Sequence, residues 1–369
     1  MKLFACPKCQ QLVFFESVAC TRCGQALAYL PDRELVSGID LVDEPAGSLP
    51  GQAPHARIWR ARVEGGGDYR LCRNGTDYAV CNWVIPVEDA SELCQACRLN
   101  RIVPPLSDPT ARAAWARVEV AKHRLVYSLL HLGLAVEPDP EGEQPGLTFS
   151  FMQDSASAKV WTGHSDGNVT INIAEADDPF REKIRVQLAE TYRTLLGHFR
   201  HEVGHYYWAR LVRSGDALSN YRALFGDERT DYAQAVKRHY EAGAPSDWPA
   251  RYVSAYASAH PWEDWAETFA HYLHMVDTLE TARAHGLTVR PRPTGGEAAH
   301  PGTISSRLDS HDFEDLLAGF VPLTLALNDL NRSMGLADPY PFVLCPPAVD
   351  KLRFVHGMVE RARDTASAR

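Results

Sequence analysis

The chain has 369 residues, 45% apolar and 23% charged, with a formal net charge of −9. That length suits two or three compact units with real cores, and the acidic balance argues against a nucleic-acid or anionic-membrane protein. The opening "MKLFACPKCQ" lacks the apolar segment of a secretory signal, and no run reaches the ~18 apolar residues that span a bilayer.

Eight of the nine cysteines fall in the first 97 residues, and six of those eight form Cys-x-x-Cys pairs. With no export signal visible, a reducing, cytoplasmic setting is expected, and there thiolates hold metal more readily than they form disulfides. Residues 1–30 read as a zinc ribbon. Cys6, Cys9, Cys20 and Cys23 flank "QQLVFFESVA", an alternating segment of strand type. One tetrahedral zinc would replace the core that so short a segment cannot build.

Residues 31–56 read as an acidic connector bearing proline and glycine, "DEPAGSLPGQAPHA". Within residues 31–105, Cys72, Cys81, Cys94 and Cys97 fit a second four-cysteine zinc site. The plainer alternative is one Cys-x-x-Cys pair plus two buried thiols. Cys345 stands apart and reads as a packed thiol. Residues 1–105 hold 11 Lys/Arg against 12 Asp/Glu without a basic stripe. Nucleic acid is therefore not expected at the ribbons, and a protein partner is the better fit.

Residues 106–369 change character. "DPTARAAWARVEVAKHRLVYSLLHLGL" predicts a helix with Asp108 as its N-cap. "LTFSFM" predicts a strand, and "AKVWTGHSDGNVTINIAEADD" two strands around an "SDGN" turn. One long helix is expected from about Asp178 to Val212. Further helices are expected at "DYAQAVKRHY", "PWEDWAETFAHYLHMVDTLETARAH", "FEDLLAGFVPLTLALNDLN" and "AVDKLRFVHGMVERAR". The fold class is thus α+β: small β-type zinc modules, then a mostly helical domain with a small antiparallel or mixed sheet.

The chemistry concentrates in "RHEVGHYYW", residues 200–208. Positions i and i+4 share a helix face, so His201 and His205 can offer two imidazole nitrogens to one metal. Glu202, one residue displaced, is angled to act as base toward metal-bound water rather than as a ligand. Gly204 leaves room for close packing on another face. A hydrolytic zinc keeps three protein ligands and an open position. The third is sought in "HPWEDWAETFAHYLH", residues 260–274. There Pro261 opens a helix and Glu263, Glu267 and His271 form one stripe. Glu263 is the expected ligand, and Glu267 the acceptor for the spare ring N–H of a ligand histidine. Asp264 or Glu267 takes the ligand position instead if the helix is rotated.

At these residues the chain resembles the gluzincin branch of the zincin metallopeptidases. That branch pairs HExxH on one helix with a ligand glutamate on a second. The form Glu263-Asp264-Trp265-Ala266-Glu267 is similar to that of the anthrax lethal factor group. "CPKC…CTRC", "CNWVIP…LCQACRLNR", "TINIAEADD", "GHFRHEVGHYYW", "SAYASAHPWEDWAETFAHYLH" and "LNRSMGLADPYPFVL" together resemble a family of bacterial zinc-binding metallopeptidases with an N-terminal zinc ribbon. The resemblance covers nearly the whole chain. It implies a zincin-like domain, one catalytic and two structural zinc ions, a peptide or protein substrate, and no membrane partner. It implies Tyr256 as an oxyanion partner, with Tyr252, His260 and Tyr206 competing. It also implies that "NVTINIAEAD" is an edge strand to which a peptide adds. Two other readings stand beside it: an inactive zincin-like scaffold, and a zinc amidase that is not a peptidase. The complete set His201, His205, Glu263 and Glu202 argues against the scaffold, because a structural zinc needs no base.

Overall fold

Two Cys-x-x-Cys turns open the computed structural model, and they are one turn made twice. Cys6 N–H donates to Gln11 O at 2.8 Å and Gln10 N–H to Cys6 O at 2.9 Å; Cys20 N–H donates to Gln25 O at 2.8 Å and Gly24 N–H to Cys20 O at 2.9 Å. The residue closing each turn is left-handed, Gln10 at φ 58° and Gly24 at φ 70°. Gly24 adopts that conformation without strain, whereas Gln10 carries a Cβ penalty. The first turn is framed by a short hairpin, β1 (Phe4–Ala5) with β2 (Leu12–Val13).

The structure describes residues 2–42, 57–138, 145–155, 158–187, 190, 192–291 and 312–367. They group into two compact units: residues 1–131 with 135–178, and residues 132–134 with 179–369. No helix among the described residues is long and apolar enough to cross a membrane.

In the first unit, β3 (Leu27–Leu30), β4 (Leu35–Leu41), β5 (Ile58–Ala61), β6 (Asp68–Leu71) and β7 (Val84–Pro86) form an antiparallel meander. Ala28, Leu30, Ile39, Ala61, Tyr69 and Val84 make its core. The expected connector over 31–56 is therefore corrected in its first part, because "LVSGIDL" is apolar enough to pair on both sides as β4. The remainder of that connector, from residue 43, lies outside the described residues. A short helix, α1 (Arg73–Tyr78), follows Cys72.

The helix α2 (Pro109–His131) starts where Asp108 Oδ1 accepts the Thr110 N–H at 2.8 Å. A mixed sheet of order β10-β11-β9-β8 completes the unit. It joins β8 (Asn100–Ile102), β9 (Thr148–Met152), β10 (Gly163–Ser165) and β11 (Asn168–Asn172). Asp166 and Gly167, both at positive φ, make the two-residue turn between β10 and β11. The expectation that "NVTINIAEAD" is an edge strand is overturned. Its β11 pairs antiparallel with β10 on one side and parallel with β9 on the other, so its backbone is already satisfied.

The second unit is helical. The single helix expected from Asp178 to Val212 is two, α3 (Asp178–Gln187) and α4 (Leu195–Leu211). The second begins at Thr194, extended at φ −124°, whose Oγ1 accepts the Gly197 N–H at 3.0 Å. A side-chain cap of this kind offers the backbone an alternative to continuing the preceding helix. Next come α5 (Gly215–Phe225), not anticipated from the sequence, and α6 (Tyr232–Ala242), capped by Asp231. The longest helix among the described residues, α7 (Pro261–Ala284), has Pro261 in its first turn and His260 as N-cap. Helices α8 (Phe313–Ser333) and α9 (Pro346–Ser367) finish the chain.

Helix α7 is the centre of this unit and packs on α4, α5, α8 and α9. Trp265, Phe269, Phe199, Val203 and Tyr207 are fully buried there. Trp265 also donates its indole N–H to Gly204 O at 2.8 Å. A Cβ on Gly204 would lie 2.9 Å from Ala266 Cα, so only glycine lets α4 and α7 approach this closely.

Candidate metal centres

The Sγ atoms of Cys6, Cys9, Cys20 and Cys23 all lie within 4.8 Å of one another, as do those of Cys72, Cys81, Cys94 and Cys97. All eight thiols are free. The closest pairs are Cys6–Cys23 and Cys9–Cys20 at 3.6 Å and Cys81–Cys94 at 3.7 Å. A tetrahedron of zinc–sulfur bonds has edges of about 3.8 Å. Both sets are therefore spaced as zinc ligands. The alternative in which Cys72 and Cys81 are merely buried thiols does not describe this clustering. Cys345 is packed among Val253, Ala257 and Ala348, as a core thiol.

The third constellation lies where α4 faces α7. Phe199, Val203 and Tyr207 turn into the core, and the same helix presents His201 and His205 on another face. Glu263, in the first turn of α7, is 1% exposed. Its Oε2 lies 3.0 Å from His201 Nε2 and 3.6 Å from His205 Nε2. Edges of about 3.4 Å are expected for nitrogen and oxygen on one zinc. Oε2 is buried and accepts no well-formed hydrogen bond, and it converges with the two imidazole nitrogens as the ligand atoms of a single cation would.

The surroundings hold each group in place. Tyr232, from the start of α6, donates its hydroxyl to Glu263 Oε1 at 2.6 Å, leaving Oε2 as the converging atom. His201 Nδ1 lies 2.7 Å from Glu267 Oε1, and Ser254 Oγ donates to Glu267 Oε2 at 2.6 Å. Both Glu267 oxygens are thus engaged away from the convergence. Asp264 points elsewhere, to Lys351 Nζ of α9 at 2.5 Å. Of the three carboxylates considered from the sequence, Glu263 is the one with an oxygen near the Nε2 atoms of both histidines.

Electrostatics follow from this packing. Burial opposes charge on His201, but the Glu263 and Glu267 carboxylates outweigh it and hold its pKa well above the usual imidazole range. Burial likewise pushes Glu263 up, and the His205 and His201 imidazoles overcome it, holding the carboxyl well below its ordinary value. A pocket that so favours positive charge between these groups suits a divalent cation. Glu202 is 8% exposed. Its charge reaches the Tyr232 and Tyr256 phenols, both of which burial pushes up first.

Among the tyrosines and histidine weighed from the sequence, Tyr256 stands beside the site, its ring 5.8 Å from that of His201. Tyr252 lies under the Lys351 ammonium, and Tyr206 under the Arg210 guanidinium. Both nitrogens of His260 are used: Nδ1 accepts the Trp262 N–H and Nε2 donates to Thr230 O. His271 Nε2 lies 3.0 Å from the Tyr340 hydroxyl in the core. Tyr232, Ser254 and Lys351 were not found from the sequence. Their partners lie 31, 13 and 87 positions away, so no helical or strand period links them.

The Lys351–Asp264 pair makes a measurable prediction. Burial raises the Asp264 carboxyl to about 7, against the pull of Lys351. Lys351→Met should destabilise the protein by about 3 kcal/mol, the low end for orphaning one partner of a buried pair. The carboxyl escapes the full penalty by protonating. Urea midpoints should show this loss, and Lys351→Met/Asp264→Leu should recover most of it.

Comparison with known proteins supplies the family. The model described as "Putative zinc-binding metallo-peptidase" matches residues 111–358, and a zinc-ribbon domain model matches residues 3–108. An uncharacterized protein of Mycobacterium tuberculosis (strain ATCC 25618 / H37Rv) is 39% identical over 361 residues, covering 98% of this chain and 96% of that protein. An uncharacterized protein of Mycobacterium bovis shows the same identity and coverage. No solved structure gives a significant match. The chain belongs to this zinc-binding metallopeptidase family, with a zinc-ribbon domain preceding the peptidase region.

Proposed function

We propose that the protein is a zinc-dependent peptidase of gluzincin type, with His201, His205 and Glu263 as ligands and Glu202 as general base. The observation that carries this reading is the convergence of those three ligand atoms within 4.8 Å of one another, on two helices locked together at Gly204. A zinc ion held there would act as a Lewis acid and lower the pKa of its water from 15.7 toward ~7. Glu202, on the same helix as the two histidines, takes the proton from the attacking water and returns it to the leaving nitrogen. Glu267, braced by Ser254, keeps His201 in the tautomer that offers Nε2. Tyr232 holds Glu263 through one oxygen, which keeps the carboxylate from closing over the open position. Tyr256, beside His201, is the candidate to stabilise the oxyanion. The two four-cysteine sets hold structural zinc. The protein acts in the cytoplasm on peptide or protein substrates, and its ribbons dock a protein partner. In domain terms, residues 1–30 and 31–105 serve the zinc modules and 106–369 the catalysis.

The test is zinc per chain by elemental analysis, on wild type and on His201→Ala/His205→Ala. The expected result is about three ions falling to about two, one per ligand set. Equal zinc in both proteins would remove the histidine centre, and the scaffold reading would replace the peptidase.

A further inference from the structure

The second cysteine centre has a neighbour that its sequence pattern does not contain. His123 lies on α2, 26 positions after Cys97, and is buried. Its Nδ1 is 2.7 Å from the Glu119 backbone carbonyl oxygen. A carbonyl only accepts, so Nδ1 carries the ring proton, and a neutral ring then offers a lone pair at Nε2. That Nε2 is 3.3 Å from Cys81 Sγ and 3.7 Å from Cys97 Sγ. These are the edge lengths of a tetrahedral zinc site, about 3.5–3.8 Å between donors. With Cys81 as a zinc-bound thiolate, an Nε2 lone pair this close is repulsive unless it too faces the cation. A fifth donor therefore stands at ligand spacing from two of the four thiols, Cys81 and Cys97.

The four thiols are not equivalent. Cys72, Cys94 and Cys97 are at most 1% exposed, whereas Cys81 is only partly buried. Cys81 and His123 also line a cavity of about 500 Å³, whose other walls include Val80, Val120, Phe15 and Leu27. A sulfur released from the metal at this position has room to move, and the reagent that would modify it has a way in. Cys72, Cys94 and Cys97 are not among the walls of this cavity.

We propose that His123 is a reserve ligand of this centre, interchangeable with Cys81, so that Cys81 is an exchangeable thiol facing an apolar cavity. With zinc bound there, exchange would replace the Cys81 Sγ–zinc bond by a His123 Nε2–zinc bond, and the freed thiolate would take a proton from solvent. The centre thereby keeps its zinc while presenting one thiol to small apolar electrophiles. This does not depend on the peptidase reading, since it concerns residues of the first compact unit alone.

The experiment is zinc content of the full chain for wild type, Cys81→Ala, His123→Ala and Cys81→Ala/His123→Ala. Each single variant should match wild type, and the double variant should lose one ion per chain. Loss of an ion in Cys81→Ala alone would overturn the proposal, because His123 would then not replace the thiolate. Retention in the double variant would overturn it equally, because three cysteines would suffice. A second measurement covers a variant that does not fold. Folded wild type and folded His123→Ala are treated with limiting N-ethylmaleimide and read by native mass spectrometry with peptide mapping. Alkylation at Cys81 should leave zinc bound in wild type and release one ion in His123→Ala. Release in both, or protection of Cys81 in both, would overturn the proposal.

Discussion

Glu202→Gln should bind as much zinc as wild type and cleave at least 10²–10⁴-fold more slowly any peptide that wild type hydrolyses, the range that one positioned general base contributes. The amide keeps the size and hydrogen-bonding reach of the carboxylate but cannot accept the proton. Glu202 is not among the three converging ligand atoms, so metal content should not change. The loss should fall on kcat, because the missing interaction is made as the proton moves rather than on binding. Turnover at the wild-type rate would show that another group is the base, and would leave the zinc-binding arrangement itself intact.

Gly204→Val should be the most damaging single change to the architecture of the site. A Cβ at 204 would sit 2.9 Å from Ala266 Cα and 3.2 Å from Ala266 O, both backbone atoms that cannot turn aside. Valine adds two methyl groups at that clash, and overpacking of this kind costs about 3 kcal/mol. Relief requires α4 to move off α7. The motion carries His201 and His205 away from Glu263 and stretches the Trp265–Gly204 hydrogen bond. Melting temperature and zinc retention under a competing chelator should therefore fall together. Gly357→Ala is the contrast: it lies in α9, and a Cβ there meets nothing within 4 Å. It should be neutral or stabilising by up to about 1 kcal/mol through helix propensity alone. If Gly204→Val leaves both zinc retention and melting temperature unchanged, the close helix contact is not what holds the site together.

Local signals account for what could be read in the sequence. His201 and His205 are legible because a helix imposes the i, i+4 relation, and Pro261 because its missing N–H suits a first turn. The twin Cys-x-x-Cys turns are legible because two ligands on a tight turn need that spacing. The strands around Asp166–Gly167 announce themselves through the turn residues. The misses have a common physical origin in contacts that no period encodes. The break before α4 depends on one Thr194 hydroxyl finding the Gly197 N–H, and no proline marks it. Helix α5 lies between Ser214 and Gly226, and these two end residues were its available signal. Lys351, Tyr232 and His123 reach their partners only after distant helices have packed. The choice among Glu263, Asp264 and Glu267 was open for the same reason. It depends on how α7 is rotated, and Gly204, Ala266 and Lys351 set that rotation together.

The placement of the three converging side chains has a further consequence for folding. His205 and Glu263 are separated by roughly sixty residues of chain, so an ion held by both would be a removable cross-link. Closing a loop of that length in an unfolded chain costs about 4 kcal/mol of entropy on the disulfide scale. A metal bound only after α4 and α7 have met leaves that entropy to be lost during folding, unlike a disulfide formed beforehand. Helices α5 and α6, which lie within this loop, are thereby tied to the occupancy of the site at its two ends.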